Sequence, residues 1–141
     1  MNEHTWLKYG AVALGAIGFI VILVLVLNYG RGLEGPTWVV QEMSVDGTAT
    51  AAIPESPPFA VFDDGAIAGS SGCNTYNGTY EIDGDSMVIG PLATTLMACT
   101  PELMGQETLY FELLAQVDGY EVSGDKLMMM SGDTVLIRFE S

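Results

Sequence analysis

Residues 59–89 read FAVFDDGAIAGSSGCNTYNGTYEIDGDSMVI. Two apolar runs, Phe59–Phe62 and Ala66–Gly69, flank Asp63-Asp64-Gly65. An Asp-Gly pair between such runs predicts a β-hairpin, because both residue types tolerate the backbone of a tight turn. Thr79–Ile82 and Met87–Ile89 flank Asp83-Gly84-Asp85 and predict a second hairpin. Downstream, Tyr120–Ser123 and Leu127–Met130 enclose Gly124-Asp125, and Thr134–Phe139 follows Gly132-Asp133 as the last strand. Upstream, Thr37–Met43 is β-branched and aromatic and predicts a first strand. Thr48–Ile53 is a weaker second, and Pro54, Pro57 and Pro58 mark a loop.

One segment leaves the two-residue rhythm. Thr100-Pro101-Glu102 supplies an N-cap, a proline at the first helical position and an acid beside the positive end of the helix dipole. Leu103, Tyr110, Leu114 and Val117 then form one stripe with Phe111 and Leu113 beside it. Glu102, Gln106, Glu107 and Glu112 lie mostly elsewhere, and the helix is expected to end near Asp118-Gly119. The expected fold is α+β and mostly β. It is a small open antiparallel β-barrel or curved sheet with one amphipathic helix, preceded by an N-terminal transmembrane helix.

That leading helix rests on Gly10–Leu27, eighteen residues without a charge. At 1.5 Å per residue they span about 27 Å, close to a bilayer core. Trp6, Tyr9 and Tyr29 flank the run where interfacial rings sit. A buried core helix would show a polar face. A cleaved signal peptide would have a shorter apolar stretch and a small-residue cleavage site, and the exit here reads Asn28-Tyr29-Gly30-Arg31-Gly32. The expected organisation is a cytoplasmic N-terminus at residues 1–9, an anchor at 10–29, a linker at 30–36 and a folded domain from Thr37 to Ser141. Residues 36–141 carry sixteen of the eighteen acids and only two cations, Lys126 and Arg138, so little resists export. The expected location is the cytoplasmic membrane, single-pass, with the domain facing the periplasm or exterior.

Net charge is −14. A nucleic-acid partner needs a basic footprint, which this chain lacks. The one histidine, His4, precedes the apolar segment, so histidine catalysis and histidine-ligated zinc are not expected in the domain. Cys73 and Cys99, twenty-six positions apart, leave two readings: a disulfide in an oxidising compartment, or two buried thiols packing as small hydrophobes. Gly72-Cys73-Asn74-Thr75-Tyr76-Asn77-Gly78-Thr79-Tyr80 reads as a shaped loop, with Asn74 capping backbone groups rather than touching a ligand. It contains Asn77-Gly78-Thr79, a weak glycosylation match. The acids gather at turns. Asp83-Gly84-Asp85 has no terminal glutamate at calcium-loop spacing, so solvated turns are expected. Met128-Met129-Met130, with Met87, Met97 and Met104, could offer soft ligands to copper(I). A strand alternates faces, however, so core packing or the lining of an apolar cavity is expected instead. No cofactor and no metal is expected.

Three stretches in order carry a resemblance. The first is the opening Thr37-Trp38. The second is Gly69-Ser70-Ser71-Gly72-Cys73-Asn74-x-Tyr76-x-Gly78-x-Tyr80. The third is Leu92-Ala93-Thr94-Thr95-Leu96-Met97-Ala98-Cys99. Together they resemble the META domain, the family of the heat-shock protein HslJ, over residues 36–141. The motif residues are Trp38, Gly72, Cys73, Asn74, Tyr76, Gly78, Tyr80, Thr95, Met97 and Cys99. The resemblance implies an open antiparallel barrel with a helix across it, no established enzymatic activity, and an envelope role linked to stress or drug resistance. Many relatives are lipoproteins, and the fold has been likened to secretin pilots that hold a lipid in an apolar cavity. This chain departs in its anchoring, since a spanning segment stands where relatives carry a lipidated cysteine. The expected partners are the membrane through the N-terminal helix and a lipid or envelope protein. The alternative is a structural interaction domain with a filled core.

Overall fold

A computed structural model describes residues 32–141. The expected membrane span over 10–29, and the segment before it, lie outside the described residues. Among the described residues no helix is long and apolar enough to cross a membrane.

The described residues form ten strands and one helix in the order β1 (Thr37–Val45), β2 (Thr48–Ala51), β3 (Phe59–Asp63), β4 (Ala66–Ser70), β5 (Thr75–Asp83), β6 (Ser86–Ile89), β7 (Ala93–Thr94), α1 (Pro101–Leu114), β8 (Gly119–Ser123), β9 (Lys126–Ser131) and β10 (Thr134–Glu140). The hairpins form where the Asp-Gly turns announce them. Neighbours pair antiparallel in the order β10-β9-β8-β6-β5-β4-β3-β1, and β10 pairs back onto β1. The expected open barrel is therefore closed, with eight strands in its wall. β2 extends the β1 hairpin outside this ring, and β7 adds two residues to β5.

Closure has a local cause. The β1 register against β10 shifts between Val40 and Glu42, and the β10 register against β9 shifts between Val135 and Ile137. Such bulges bend and twist a strand, which lets a short last strand curl round to the first. Closure removes the edge that a curved sheet would expose. One seam stays thin: β6 meets β8 at a single residue pair, Ser86↔Gly119.

Inward positions alternate along every long strand. Trp38, Phe62, Ile67, Met87, Leu127, Met129 and Ile137 are each 0% exposed, with Val40, Met43 and Phe139 at 1%. An eight-stranded barrel has an interior just wide enough for side chains to fill. Met129 points inward while Met128 and Met130 sit half-buried on the other face, as strand alternation requires. Met97 and Met104 depart from the core expectation. They are 60% and 47% exposed, because each lies on a loop or helix face turned away from the barrel.

α1 lies across one mouth. Its N-terminal half is bonded to the β2–β3 and β4–β5 loops. Its C-terminal half neighbours the β1–β2 and β9–β10 turns. It ends at Leu114, short of the expected Asp118-Gly119, because the N–H groups of Gln116 and Val117 turn to the i−3 carbonyls of Leu113 and Leu114. The other mouth is covered by the chain's approach to β1. Leu33 is 6% exposed and its carbonyl accepts the Trp38 indole N–H at 2.8 Å. Glu34 accepts the Tyr80 hydroxyl and, at 3.0 Å, the Asp64 backbone N–H. Packed chain thus reaches back to Leu33, inside the stretch read as linker.

Candidate functional site

Gly72, Cys73, Asn74, Tyr76, Thr95, Met97 and Cys99 of the motif converge where α1 crosses the mouth, while Trp38 and Tyr80 bond Leu33 and Glu34 at the other one. Cys73 and Cys99 are joined, with an S–S length of 2.04 Å and Cα atoms 6.0 Å apart. The bridge ties the β4–β5 corner to the turn that opens α1. Thr100 follows, and its side chain accepts the Leu103 N–H at 3.4 Å as the N-cap.

Asn74 is the hub. Its Oδ1 accepts the Met97 N–H at 2.7 Å and the Thr95 hydroxyl at 2.8 Å. Its Nδ2 donates to Glu107 Oε1 at 3.1 Å and to the Met97 carbonyl at 3.3 Å. Its backbone N–H donates to Ser71 Oγ at 2.9 Å and Glu107 Oε2 at 3.1 Å. Every polar atom of this 3%-exposed side chain is satisfied within the domain. It caps backbone groups, as the sequence suggests. Met97 takes part through its backbone, while its side chain faces solvent.

Two residues of α1 complete the knot and were not legible as functional. Helical period places Gln106 and Glu107 off the apolar stripe. Gln106 is nonetheless 7% exposed. It accepts the Ile53 N–H at 2.8 Å and donates to the carbonyls of Ser56 at 2.8 Å and Ser71 at 3.2 Å. Glu107 takes the Ser71 hydroxyl as well as both Asn74 donors. The one available signal was the Ser-Ser-Gly-Cys-Asn run itself, a concentration of donors that must find acceptors on another element.

Gly72 has φ +92°, and a Cβ there would lie 2.3 Å from the Ser56 carbonyl oxygen. Gly78 sits inside β5, where a Cβ would lie 2.7 Å from Leu92 Cδ2. The half of the motif read as loop, Thr75–Gly78, is thus strand. Asn77 and Gly78 pair with Ala68 and Ile67 of β4, and glycine admits the Pro91–Leu92 backbone passing over it.

A tyrosine pair lies beneath. Tyr76 Oη donates to the Phe59 carbonyl at 3.0 Å, so Tyr110 donates to Tyr76 across 2.7 Å. Burial pushes both hydroxyls well above the ordinary tyrosine range, the mutual bond partly offsetting this at Tyr76. At the opposite mouth, burial first and the Glu34 carboxylate second push Tyr80 up to about 12.

Among the described residues three of the surface grooves bear on function. One of about 480 Å³ runs between α1 and the β1–β2 and β9–β10 turns, lined by Val45, Leu109, Leu113, Leu136 and several polar groups. A second, also about 480 Å³, is edged by Asp85, Asp118, Glu121 and Asp133. A third, of about 450 Å³, is lined by Ile89, Pro91, Leu92, Phe111, Leu114 and Ala115, with Gly90 and Thr94. Among the described residues no three His, Cys, Asp or Glu side chains are grouped to hold a metal ion.

The fold has solved counterparts. A protein from Burkholderia xenovorans matches with a TM-score of 0.65 and 24% identity over 77% of this chain and 82% of that one. A DUF4847-family protein from Bacteroides vulgatus matches with a TM-score of 0.59 and 17% identity over 77% and 93%. No curated protein matches. The META domain family matches residues 31–141, a span that holds the disulfide, the Asn74 hub and both covered mouths, and the chain belongs to that family.

Proposed function

We propose that this is a membrane-anchored, non-enzymatic envelope domain that works by binding a protein at its outer surface. The observation that carries the reading is the filled interior. Trp38, Phe62, Met87, Leu127, Met129 and Phe139, at 0–1% exposure, occupy the space in which a lipid chain would lie. Of the two expectations, lipid in the barrel and filled core, this packing supports the second. The motif residues are then scaffold: their polar groups bond within the domain, at both mouths. Support for the anchor is the uncharged run Gly10–Leu27, and support for an exported domain is its shortage of cations. A role in stress follows from family resemblance alone.

Native mass spectrometry of the full chain, released from its own membranes in mild detergent, tests the reading. The bare chain mass is expected. A lipid-sized addition that survives detergent removal and is lost on denaturation would overturn it.

A further inference from the structure

The third groove lies beside an open strand edge. Tyr80 sends its N–H to Gly65 on the β4 side, and Gly90 bonds Thr79 on β5. Tyr80↔Ile89 is therefore the pair without mutual bonds. The N–H and C=O of Ile89 accordingly point away from β5, toward the position of the next strand. β8 does not fill it. After Ser86↔Gly119, and a bond from the Met87 N–H to the Asp118 carbonyl at 3.1 Å, the two strands part. The gap is flanked by Ile89, Leu92, Phe111 and Leu114, and Val88 beside it is 62% exposed. A free donor and acceptor beside an apolar trough are what an added strand uses: backbone bonds hold it, and alternate side chains enter the trough.

We propose that this groove binds an extended, cationic peptide segment that pairs with the β6 edge and puts every second, aliphatic side chain between β6 and α1. The inference rests on the reading that the domain acts through its surface. Charge selects the occupant. No charged side chain lines the groove itself, and the described residues around it carry seventeen acids against two cations, with no Lys or Arg on β6, β7 or α1. The groove abuts the C-terminus of α1, whose last turn has no basic residue to offset the negative end of its dipole. Glu81 faces Val88 across the β5–β6 pair. The two cations of the described domain, Lys126 and Arg138, are already paired with Glu140 and Glu42 on other strands. A second copy of this acidic chain is repelled from such a site, and an anionic segment more so.

The test uses the full chain in nanodiscs of zwitterionic lipid, with empty nanodiscs as background. The probe is a fluorescent peptide of alternating valine and lysine. Its partners are the valine–glutamate counterpart and a valine–lysine peptide N-methylated at every second amide. Saturable binding of the unmodified cationic peptide is expected, with the Ile89 amide protected from hydrogen exchange. Ala115→Arg, an exposed position on the groove wall, is expected to weaken binding at least about tenfold, as is N-methylation. Ile89→Pro removes the donor at an edge that tolerates proline, and should do the same. Absence of binding overturns the proposal. So does equal binding of the N-methylated peptide, or equal binding to the Ala115→Arg protein, since either reduces the effect to general charge attraction. A bare native mass with no peptide binding removes this groove alone. A lipid adduct removes the surface-acting reading instead.

Discussion

Asn74 shows how one side chain can hold three segments. From the β4–β5 corner its side-chain amide bonds the 95–97 loop and α1 at once. Asn74→Asp loses the donor to Glu107 and sets a second carboxylate beside it. The expected loss is about 3 kcal/mol at pH 7, partly recovered as the pH falls through the carboxylate range; urea denaturation at several pH values reads this. Gly72→Ala must adopt φ +92° with its Cβ against the Ser56 carbonyl. It is expected to lose about 2–3 kcal/mol in the same assay. The sequence shows Cys73, Asn74 and Gly72 as a structural cluster because their types advertise turns and caps. It hides Gln106 and Glu107, because a polar residue on a helix reads as solvated until the loop that meets it is known.

At the scale of elements, turn chemistry was the most readable signal. The Asp-Gly and Gly-Asp pairs at 64–65, 83–84, 124–125 and 132–133 each produced a hairpin within a residue or two, since alternation and turn type agree locally. β7 and the first half of β5 were not readable. Two residues are too few for a period, and Asn77-Gly78 are poor strand formers held in line by β4 on one side and the Pro91–Leu92 segment on the other. The disulfide joins the β4–β5 corner to the loop between β7 and α1 and anchors the start of the helix. Reduction is expected to lower stability by about 3.5 kcal/mol, following the loop-entropy estimate for a separation of 26 residues. Hydrogen exchange on the reduced protein should show the 95–100 segment and the first turn of α1 loosening before the barrel strands do.

The described domain is a closed ring plugged at both mouths, by α1 at one and by Leu33 and Glu34 at the other. Closure was not legible, because it depends on bulges in β1 and β10 that leave no mark in an alternating pattern. Three tyrosines make the packed state sensitive to alkali. Tyr76, Tyr80 and Tyr110 ionise at higher pH when folded than when unfolded. Their contribution is therefore complete below about pH 10, the ordinary tyrosine range, and lost as the pH rises above it. The loss grows as the pH climbs from about 10 toward the raised folded-state values. Circular dichroism is expected to show the unfolding midpoint in urea falling steeply over that window. The most direct measurement of the filled barrel is methyl NMR of the full chain in nanodiscs, with 13C in the methionine methyl groups alone. Met43, Met87 and Met129 are expected to resist broadening by a soluble paramagnetic probe and to show no contact with lipid acyl protons, while Met97 and Met104 broaden strongly. Acyl contacts at Met87 or Met129 would contradict a filled interior and place a lipid inside the barrel.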